Sequence, residues 1–443
     1  MPLPKVLSFI KNENYDHLSS EVVTMAKKSL LDFIASTYTG YQCKTSSIAL
    51  KSANWFGEKG YCTVIGSEKQ VSPFAATFIN ATLSSCMDID DGHRDAVGHP
   101  GCMIIPPVLT SGELDENCTG KELITAIVVG YEVGIRCGIV MNSNHKQLFY
   151  GSGGWALFGS ASGVAKIKRL TEESLKNSLT IAEVYGPTAQ CGKSIAAGSM
   201  TKESVGWGAT TALMGVLLAE HGFTGPNNIL MDKHLYNSDI ETVFETLGEK
   251  YEIKNIYFKQ YPACKWAHSP ITAALNIMKE FNPNLEEIDE IIIETFSKAV
   301  TLNHIKPQTT EAAQYSIPFT VATALCYGAV EPFHVSEEHL KNHKIYSIAK
   351  KIRMIQVDDL EKDFPRKRPA RLKIKMKDKE VFTNEVKLVK GDSENPLLWE
   401  DLVDKFHRCS KDFIDSERRE EIIERIKNLE NITNLKEFTS LLR

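Results

Sequence analysis

The chain has 443 residues, 42% of them apolar, which is enough for large buried cores and, by length, for two to three domains. Its 51 basic and 56 acidic residues give a formal net charge of −5, which provides no overall attraction to a phosphate backbone, so nucleic acid is not an expected partner. The 10 cysteines include no CxxC pair, and residues 1–15 do not have the pattern of a secretory signal, so we expect a cytoplasmic protein.

Apolar residues recur at helical spacing from Ser20 to about Gly225, and turn signals separate the periodic segments. This pattern predicts an almost wholly helical region. Its most membrane-like segment runs from Leu123 to Met141, but Glu132 and Arg136 lie four residues apart on one face of that segment. We therefore predict a helix that is buried in the protein core, and no membrane span.

The periodicity changes near Glu287, where EIDEIIIETF alternates in the manner of a strand, and two further strands are predicted around the turn at residues 377–379. The segments TTEAAQYSIPFTVATALCYGAV and SEEHLKNHKIYSIAKKI have helical spacing, and the chain is helical again after Gly391. We therefore predict a helical first domain, on which the last ~50 residues pack, and a second, α/β domain of about 130 residues.

The stretch DIDDGHRDAVGHPG, from Asp88 to Gly101, holds four aspartates and two histidines. His93 and His99 lie six residues apart, which matches no known zinc spacing, HExxH motif or EF-hand loop, so we expect no bound metal. An acidic surface loop is the other simple interpretation. Apolar segments on both sides favour instead a charged turn that emerges from a core, where functional sites tend to lie.

The pattern D-x-D-D-x-H followed by H-P-G resembles the signature loop of the MmgE/PrpD family, which includes 2-methylcitrate dehydratases, cis-aconitate decarboxylases and iminodisuccinate epimerases. Further segments resemble the family in the same order along the chain: FGSASGVAKIKRLT, MTKESVGWGATTALMGVLLAEHGFTGP, KQYPACKWAHSPITAA, AAQYSIPFTVATAL and NPLLWEDLVDKF. The resemblance implies a mostly α protein with a large all-helical domain, over residues 1–257 and completed by residues 394–443, and a smaller inserted α/β lid domain over residues 258–393. It also implies a homodimer, a site between the domains, and no metal or organic cofactor.

By this resemblance His99 matches the family's site histidine, and an ordinary histidine pKa of about 6.5 suits proton exchange near neutral pH. Taken alone, a histidine before Pro100 is more often a cap for the following helix. Asp88 matches the first site aspartate, which is predicted to orient His99 or to bind a substrate hydroxyl. Asp90 and Asp91 are predicted to bind amides at a helix end.

Lys202 and Lys259 match lysines that pair with substrate carboxylates, although most lysines are solvated surface charges. Small residues before Lys202 and aromatic residues around Lys259 favour the binding role over the surface role. His268 matches a family histidine, and its predicted role is to support substrate binding.

Four positions depart from the family pattern. Tyr150 stands where dehydratases and decarboxylases usually carry histidine, and it is a candidate second acid or base opposite His99. Gly92, Cys264 and Phe319 stand where decarboxylases carry threonine, histidine and tyrosine. Each of these three changes removes a hydrogen-bonding group from the predicted pocket, which disfavours decarboxylation. A nucleophilic role for Cys264 is also disfavoured, because free cysteine is usually a small buried residue.

These observations predict a cofactor-free enzyme that abstracts a proton beside a carboxylate of a small di- or tricarboxylate. The leading prediction is a hydro-lyase similar to 2-methylcitrate dehydratase, which is the family's commonest activity. The alternative is an epimerase that acts on an iminodisuccinate-like substrate, which Tyr150 favours. An inactive dimeric scaffold that binds a carboxylate metabolite or a protein partner, and a metal hydrolase, are the remaining alternatives.

Overall fold

A computed structural model of the chain describes residues 3–57, 60–142, 151–188, 191–226 and 240–443. Helices dominate the first two thirds of the chain and its end, and a four-stranded sheet with its own helices lies between them. We call these regions the helical part and the α/β part (residues 258–393). This arrangement confirms the predicted fold class of a mostly α protein with a smaller α/β region.

The helical part is built from helices that bury most of their apolar surface, and several of them begin at a serine or threonine whose side-chain oxygen caps the first turn. In chain order they span Leu3–Asn12, Ser20–Gly40, Lys44–Lys51, Ala53–Phe56, Pro73–Cys86, Gly101–Leu114, Gly120–Asn142, Ser152–Lys168, Glu172–Tyr185, Cys191–Ala196, Val205–Glu220 and Ile240–Glu245. A short antiparallel strand pair joins Cys62–Thr63 to Gln70–Val71.

The helix Gly120–Asn142 lies in the centre of the helical part. It is long and apolar enough to cross a membrane, but 94% of its most apolar window is buried inside the protein. Glu132 and Arg136 form a fully buried ion pair of 2.5 Å on this helix, and the Glu132 carboxylate also accepts the backbone amides of Glu252 and Ile253. The prediction of a buried core helix is therefore confirmed.

The sheet of the α/β part has the strand order Ile352–Gln356, Ile288–Thr295, Ala370–Met376, Val381–Val386. The first pair is parallel and the others are antiparallel. Alternate residues of Ala370–Met376 are buried, as expected for a strand with one face on a core. The helices of this part span His268–Phe281, Ser297–Val300, Thr310–Gln314, Ile317–Tyr327, His343–Ala349 and Asp358–Glu361.

The three predicted strands are confirmed, and Lys379 takes a left-handed conformation, with φ of 78°, in the turn between the last two. The strand Ile352–Gln356 was not predicted. It follows directly on the segment assigned to a helix, which in fact contains only the 3-10 turn His339–Lys341 and the helix His343–Ala349.

The C-terminal helices Trp399–Ser410, Ser416–Lys427 and Leu435–Ser440 contact the helical part. Lys405 Nζ donates to Asp32 Oδ1 at 2.5 Å and to the carbonyl oxygen of Ile89 at 2.5 Å. Ile89 belongs to the stretch from Asp88 to Gly101, which we call the acidic cluster. Burial raises the pKa of Asp32 to about 6, although the neighbouring ammonium opposes this rise. The pair therefore links the end of the chain to the loop that carries the site residues. The domain boundaries at residues 257 and 393 stay predictions.

Replacement of Lys405 by methionine is expected to lower the free energy of unfolding by about 3–5 kcal/mol, because it leaves the Asp32 carboxylate buried without its partner. The double variant Asp32→Asn/Lys405→Met removes both charges and is expected to recover most of this loss. Urea denaturation followed by circular dichroism measures both effects. An unchanged free energy of unfolding in the single variant Lys405→Met would contradict the inference that Lys405 compensates the buried charge of Asp32.

Candidate active site

A two-residue strand pair positions the acidic cluster against the start of the α/β part. Gly92–His93 pairs antiparallel with Ile256–Tyr257, so that Gly92 lies opposite Tyr257. A methyl group at Gly92 would lie 2.4 Å from the Tyr257 hydroxyl oxygen, so a residue with a side chain cannot take this place without displacing the phenol ring. Lys259 follows the second strand by two residues and is thereby brought to the acidic cluster.

The carboxylate of Asp88 lies between two ammonium groups. Its Oδ1 accepts a hydrogen bond from Lys202 Nζ at 3.1 Å, and its Oδ2 lies 3.0 Å from Lys259 Nζ. Lys259 Nζ also donates to the backbone oxygen of Asp88 at 3.0 Å. Burial alone would raise the pKa of Asp88, but the two lysines hold it well below its usual range. The same pairing raises the pKa of both lysines in spite of their burial.

Two members of this group have a left-handed backbone, with φ of 53° at Asp88 and 40° at Lys202. Residues other than glycine rarely adopt this conformation, and each one costs on the order of 1–3 kcal/mol. Val97, with φ of 52°, lies in the same loop. Because such residues cluster at functional sites, the backbone strain supports the assignment of this loop as the site.

The two lysines differ in the number of their N–H groups that the protein occupies. Lys202 Nζ also donates to the carbonyl of Ser85 at 2.8 Å and to Gln314 Oε1 at 3.0 Å, so three protein acceptors match its three N–H groups. Both acceptors of Lys259 belong to Asp88, and Lys259 lines the cavity. Lys259 can therefore bind a substrate carboxylate directly, whereas Lys202 would first have to release a protein partner.

The imidazole of His99 is oriented by a main-chain carbonyl. Its Nδ1 lies 2.8 Å from the carbonyl oxygen of Asp91, which can only accept, so Nδ1 carries the hydrogen in the neutral ring and Nε2 has a free lone pair. Nε2 lies 3.9 Å from Asp88 Oδ1 and 3.9 Å from Glu203 Oε1, and Nδ1 lies 3.4 Å from Asp90 Oδ2. The predicted orientation of this ring by Asp88 is not what the structure shows.

Glu203 and Ser152 belong to the site and were missed in the sequence. The backbone amide of His99 donates to Ser152 Oγ at 2.8 Å, and the Ser152 hydroxyl and amide donate to Glu203 Oε2 at 2.6 and 2.8 Å. Glu203 follows Lys202 directly in the chain. Its place beside Lys202 was a possible signal in the sequence. Only the fold shows that the side chains of both Lys202 and Glu203 reach the site.

The two remaining aspartates of the DIDD stretch have different roles. Asp91 Oδ1 accepts the backbone amide of Gly101 at 2.9 Å, which confirms the predicted role at a helix end and shows that His99 is not the cap. Asp91 Oδ2 accepts from the Tyr131 hydroxyl at 2.6 Å. Asp90 instead faces the His99 ring, and neither of its oxygens accepts a backbone amide within the described ranges, so its predicted helix-end role is wrong.

Asp88, His99, Glu203 and Lys259 line a cavity of about 630 Å³ between the helical part and the α/β part. Asp88, His99 and Glu203 line one side of it. Its basic lining residues outnumber the acidic ones by four to two, the basic ones being Lys259, Lys265, Lys306 and Arg368. A surface groove of about 760 Å³ elsewhere on the helical part contains none of these residues. The size and charge of the cavity suit a small anionic ligand.

Two of the predicted site residues do not line this cavity. The His268 ring is fully buried, its Nε2 lies 3.2 Å from the carbonyl oxygen of Ala263, and burial holds its pKa well below the usual value. His268 therefore contacts the backbone of the segment that follows Lys259, on the side that faces away from the cavity. Lys202 lies behind Asp88. Tyr150 falls outside the described residues, so its predicted role stays a prediction.

The other departures from the family pattern have different consequences. Cys264 lines the cavity, and burial raises its thiol pKa to about 11, so the thiol stays protonated at neutral pH. Phe319 is fully buried, with its ring 6.2 Å from that of Tyr346, and does not line the cavity, which corrects the expectation that this position contributes to the pocket. At Gly92 the free space is filled by Tyr257.

Two tyrosines of the cavity wall were not singled out in the sequence. Burial raises the pKa of Tyr257 to about 12 and that of Tyr315 well above its usual value, so both phenols stay protonated and can donate hydrogen bonds. The ring of Tyr315 lies 6.0 Å from Lys202 Nζ. Tyr315 lies in a segment with helical spacing, and Tyr257 lies in a segment without a predicted element, so the sequence does not show that either residue faces a cavity.

Residues 5–239 match the MmgE/PrpD N-terminal domain and residues 261–431 match the MmgE/PrpD C-terminal domain. The chain therefore belongs to the MmgE/PrpD family. It is 24% identical to a cis-aconitate decarboxylase of Aspergillus terreus, over 99% of this chain and 95% of that protein. It is 23% identical to the cis-aconitate decarboxylase of Homo sapiens, over 96% of this chain and 91% of the human protein.

Asp91 is expected to make the stability of the protein fall with rising pH. Burial raises its pKa to about 8, so between about pH 4 and pH 8 the folded state holds a proton that the unfolded state has lost. The free energy of unfolding then decreases by at most about 1.4 kcal/mol per pH unit in this interval. Urea denaturation at several pH values should show a weaker decrease for Asp91→Asn, and an unchanged slope would contradict the assignment.

The unequal occupation of the two lysines predicts unequal effects on binding. Lys202→Met and Lys259→Met should each lower the free energy of unfolding, because each leaves Asp88 with one cation. Only Lys259→Met removes a donor that faces the cavity, so it should weaken the binding of propane-1,2,3-tricarboxylate by the larger factor, at least about tenfold. Isothermal titration calorimetry measures this difference, and equal losses for both variants would contradict it.

Proposed function

We propose that this protein is a lyase of small di- or tricarboxylates that uses His99 Nε2 to abstract a proton beside a substrate carboxylate. The observation that carries this proposal is the hydrogen bond from Nδ1 to the Asp91 carbonyl, which in the neutral ring places the lone pair on Nε2, in a cavity with four basic lining residues. The relatives named as cis-aconitate decarboxylases support a lyase with a carboxylate substrate.

The surrounding charges suit this proton transfer. When Nε2 takes the proton, the positive charge of the ring lies 3.4–3.9 Å from the carboxylates of Asp88, Asp90 and Glu203. The negative charge that grows on the substrate carboxylate is stabilised by Lys259, whose charge Asp88 maintains. Because these charges are already in place, little reorganisation accompanies the reaction.

Within this class, we propose dehydration of a 2-methylcitrate-like hydroxy acid. The electron pair of the broken C–H bond forms the new double bond and the C–O bond breaks. The hydroxyl group leaves as water with a proton from the phenol of Tyr257 or Tyr315, and the proton that His99 has abstracted replaces it. The phenols of Tyr257 and Tyr315 line the cavity and are protonated, so they can donate hydrogen bonds to the departing oxygen. Gly92 and Cys264 lack the side chains that the resemblance assigns to decarboxylases at these positions.

Epimerisation of an iminodisuccinate-like acid is the second candidate, and the observation that favours it is Tyr150. A second acid or base opposite His99 would return a proton to the other face of the same carbon. Independence from metals and organic cofactors is part of the proposal and rests on the resemblance. Among the residues described, no three His, Cys, Asp or Glu side chains group to hold a metal ion. Assembly as a homodimer also stays a prediction.

The reaction type can be tested by incubating the protein in D2O with 2-methylcitrate, cis-aconitate and each enantiomer of iminodisuccinate. Proton NMR then follows exchange, water loss and inversion, while released carbon dioxide is measured in parallel. An unsaturated product with loss of water is the expected result. Inversion without an alkene would identify an epimerase, carbon dioxide from cis-aconitate would identify a decarboxylase, and no reaction would favour the scaffold.

The role of His99 is tested with the variant His99→Gln, which should lower turnover by about 10²–10⁴-fold because it removes the base. His343→Gln is the matched control, because His343 is exposed on the α/β part and outside the cavity. Dialysis against a chelator should leave the activity of the original protein unchanged. Full activity of His99→Gln would exclude this residue as the base.

A further inference from the structure

The reaction proposed above leaves three of the four basic residues that line the cavity without a role, and two of these three lie against the same aromatic ring. Lys265 and Arg368 both line the cavity on the α/β side. The ring of Tyr257 packs against both of them, since Lys265 Nζ lies 4.9 Å from its centroid and the guanidinium carbon of Arg368 lies 5.5 Å from it. These distances define a cationic pair that is held in place by one aromatic ring, which is itself fixed by its strand pairing to Gly92.

Lys265 is buried, with 4% of its surface exposed, yet few of its N–H groups are satisfied. Its Nζ lies 3.0 Å from Asp392 Oδ1, the one ion-pair partner it has in the described part of the chain. The other oxygen of Asp392 accepts the backbone amide of Val389 at 3.0 Å. An ammonium group carries three N–H groups, so Lys265, whose side chain lines the cavity, retains N–H groups that have no acceptor among the described residues.

Arg368 is half-buried and forms no ion pair with any residue that the structure describes. Its Nε is buried and has no hydrogen-bond partner there. Most buried polar atoms are hydrogen-bonded, and an unsatisfied one costs about 1–3 kcal/mol. The planar fork of a guanidinium group matches the two oxygens of a carboxylate, so an anion in the cavity would satisfy this side chain.

We propose that Lys265 and Arg368 form a subsite for a second substrate carboxylate, distinct from the carboxylate that Lys259 binds. The subsite deepens the proposed function, on which it rests, because it requires a substrate with at least two carboxylates. A monocarboxylate that occupies the position near His99 would leave the subsite empty and lose the orientation that the second contact provides.

Butanedioate and butanoate are matched probes, because they have the same number of carbon atoms and differ by one carboxylate. NMR titration gives the dissociation constant of each probe for the original protein, Arg368→Gln and Arg368→Lys. The original protein should prefer butanedioate. Arg368→Gln should weaken butanedioate at least about tenfold and leave butanoate unchanged, with Arg368→Lys between the two. An equal effect on both probes, no effect, or no preference in the original protein would overturn the subsite.

Lys265 needs a variant that does not leave a buried charge alone. In Lys265→Met/Asp392→Asn both members of the ion pair are replaced by neutral residues, so this variant should fold. It should bind butanedioate more weakly than the original protein does, because it lacks one cation of the subsite. Lys298→Met is the control, because it removes one exposed positive charge of the α/β part outside the cavity. Weakening of butanedioate by the control as strong as by the double variant would overturn the assignment of Lys265.

These titrations need no turnover, so they separate the subsite from the proposed reaction. If the original protein shows no proton exchange but Arg368→Gln loses the preference for butanedioate, the subsite is supported and the proposed reaction is contradicted. If the original protein shows proton exchange but its preference for butanedioate does not depend on Arg368, the reaction is supported and the subsite is contradicted.

Discussion

The carboxylate of Asp88, held between the ammonium groups of Lys202 and Lys259, is the interaction on which the site depends. Each of these charges would cost several kcal/mol if it were buried alone, and only close contact with the others offsets that cost. One lysine comes from the helical part and the other from the start of the α/β part. The interaction therefore fixes the left-handed backbone at Asp88 and Lys202 and also the contact between the two parts of the chain.

This arrangement explains why the cavity can support chemistry at a carbon acid. Asp88, Ser85 and Gln314 together accept all three N–H groups of Lys202. Asp88 accepts only two from Lys259, which therefore keeps one N–H group for a ligand in the cavity. The base is fixed independently, because the His99 ring is held by a main-chain carbonyl. A cation for the developing negative charge and a base with a free lone pair are thus presented to the same space without a metal ligand set among the described side chains.

Local periodicity was sufficient to predict the helical part, the buried helix and three of the four strands in the sheet of the α/β part, because these depend on which residues alternate between core and solvent. The strand Ile352–Gln356 was missed because its parallel partner, Ile288–Thr295, lies some sixty positions earlier, and no local pattern encodes that pairing. The family motifs indicated Asp88, His99 and Lys259 as site residues, and the structure places these three residues together. They did not indicate Arg368 or Glu203, because a single charged residue in a sequence does not show which way it faces.

The ionisation of Asp88 tests this account most directly. In protein labelled with ¹³C at the aspartate carboxyl carbon, the Asp88 signal is assigned by its loss in Asp88→Asn and followed by NMR from about pH 8 to about pH 4. The account predicts that its chemical shift remains that of a carboxylate throughout, because the two lysines hold its pKa well below the usual range. A signal that titrates with the ordinary aspartate pKa of about 3.9 would contradict the buried arrangement of one carboxylate between two ammonium groups.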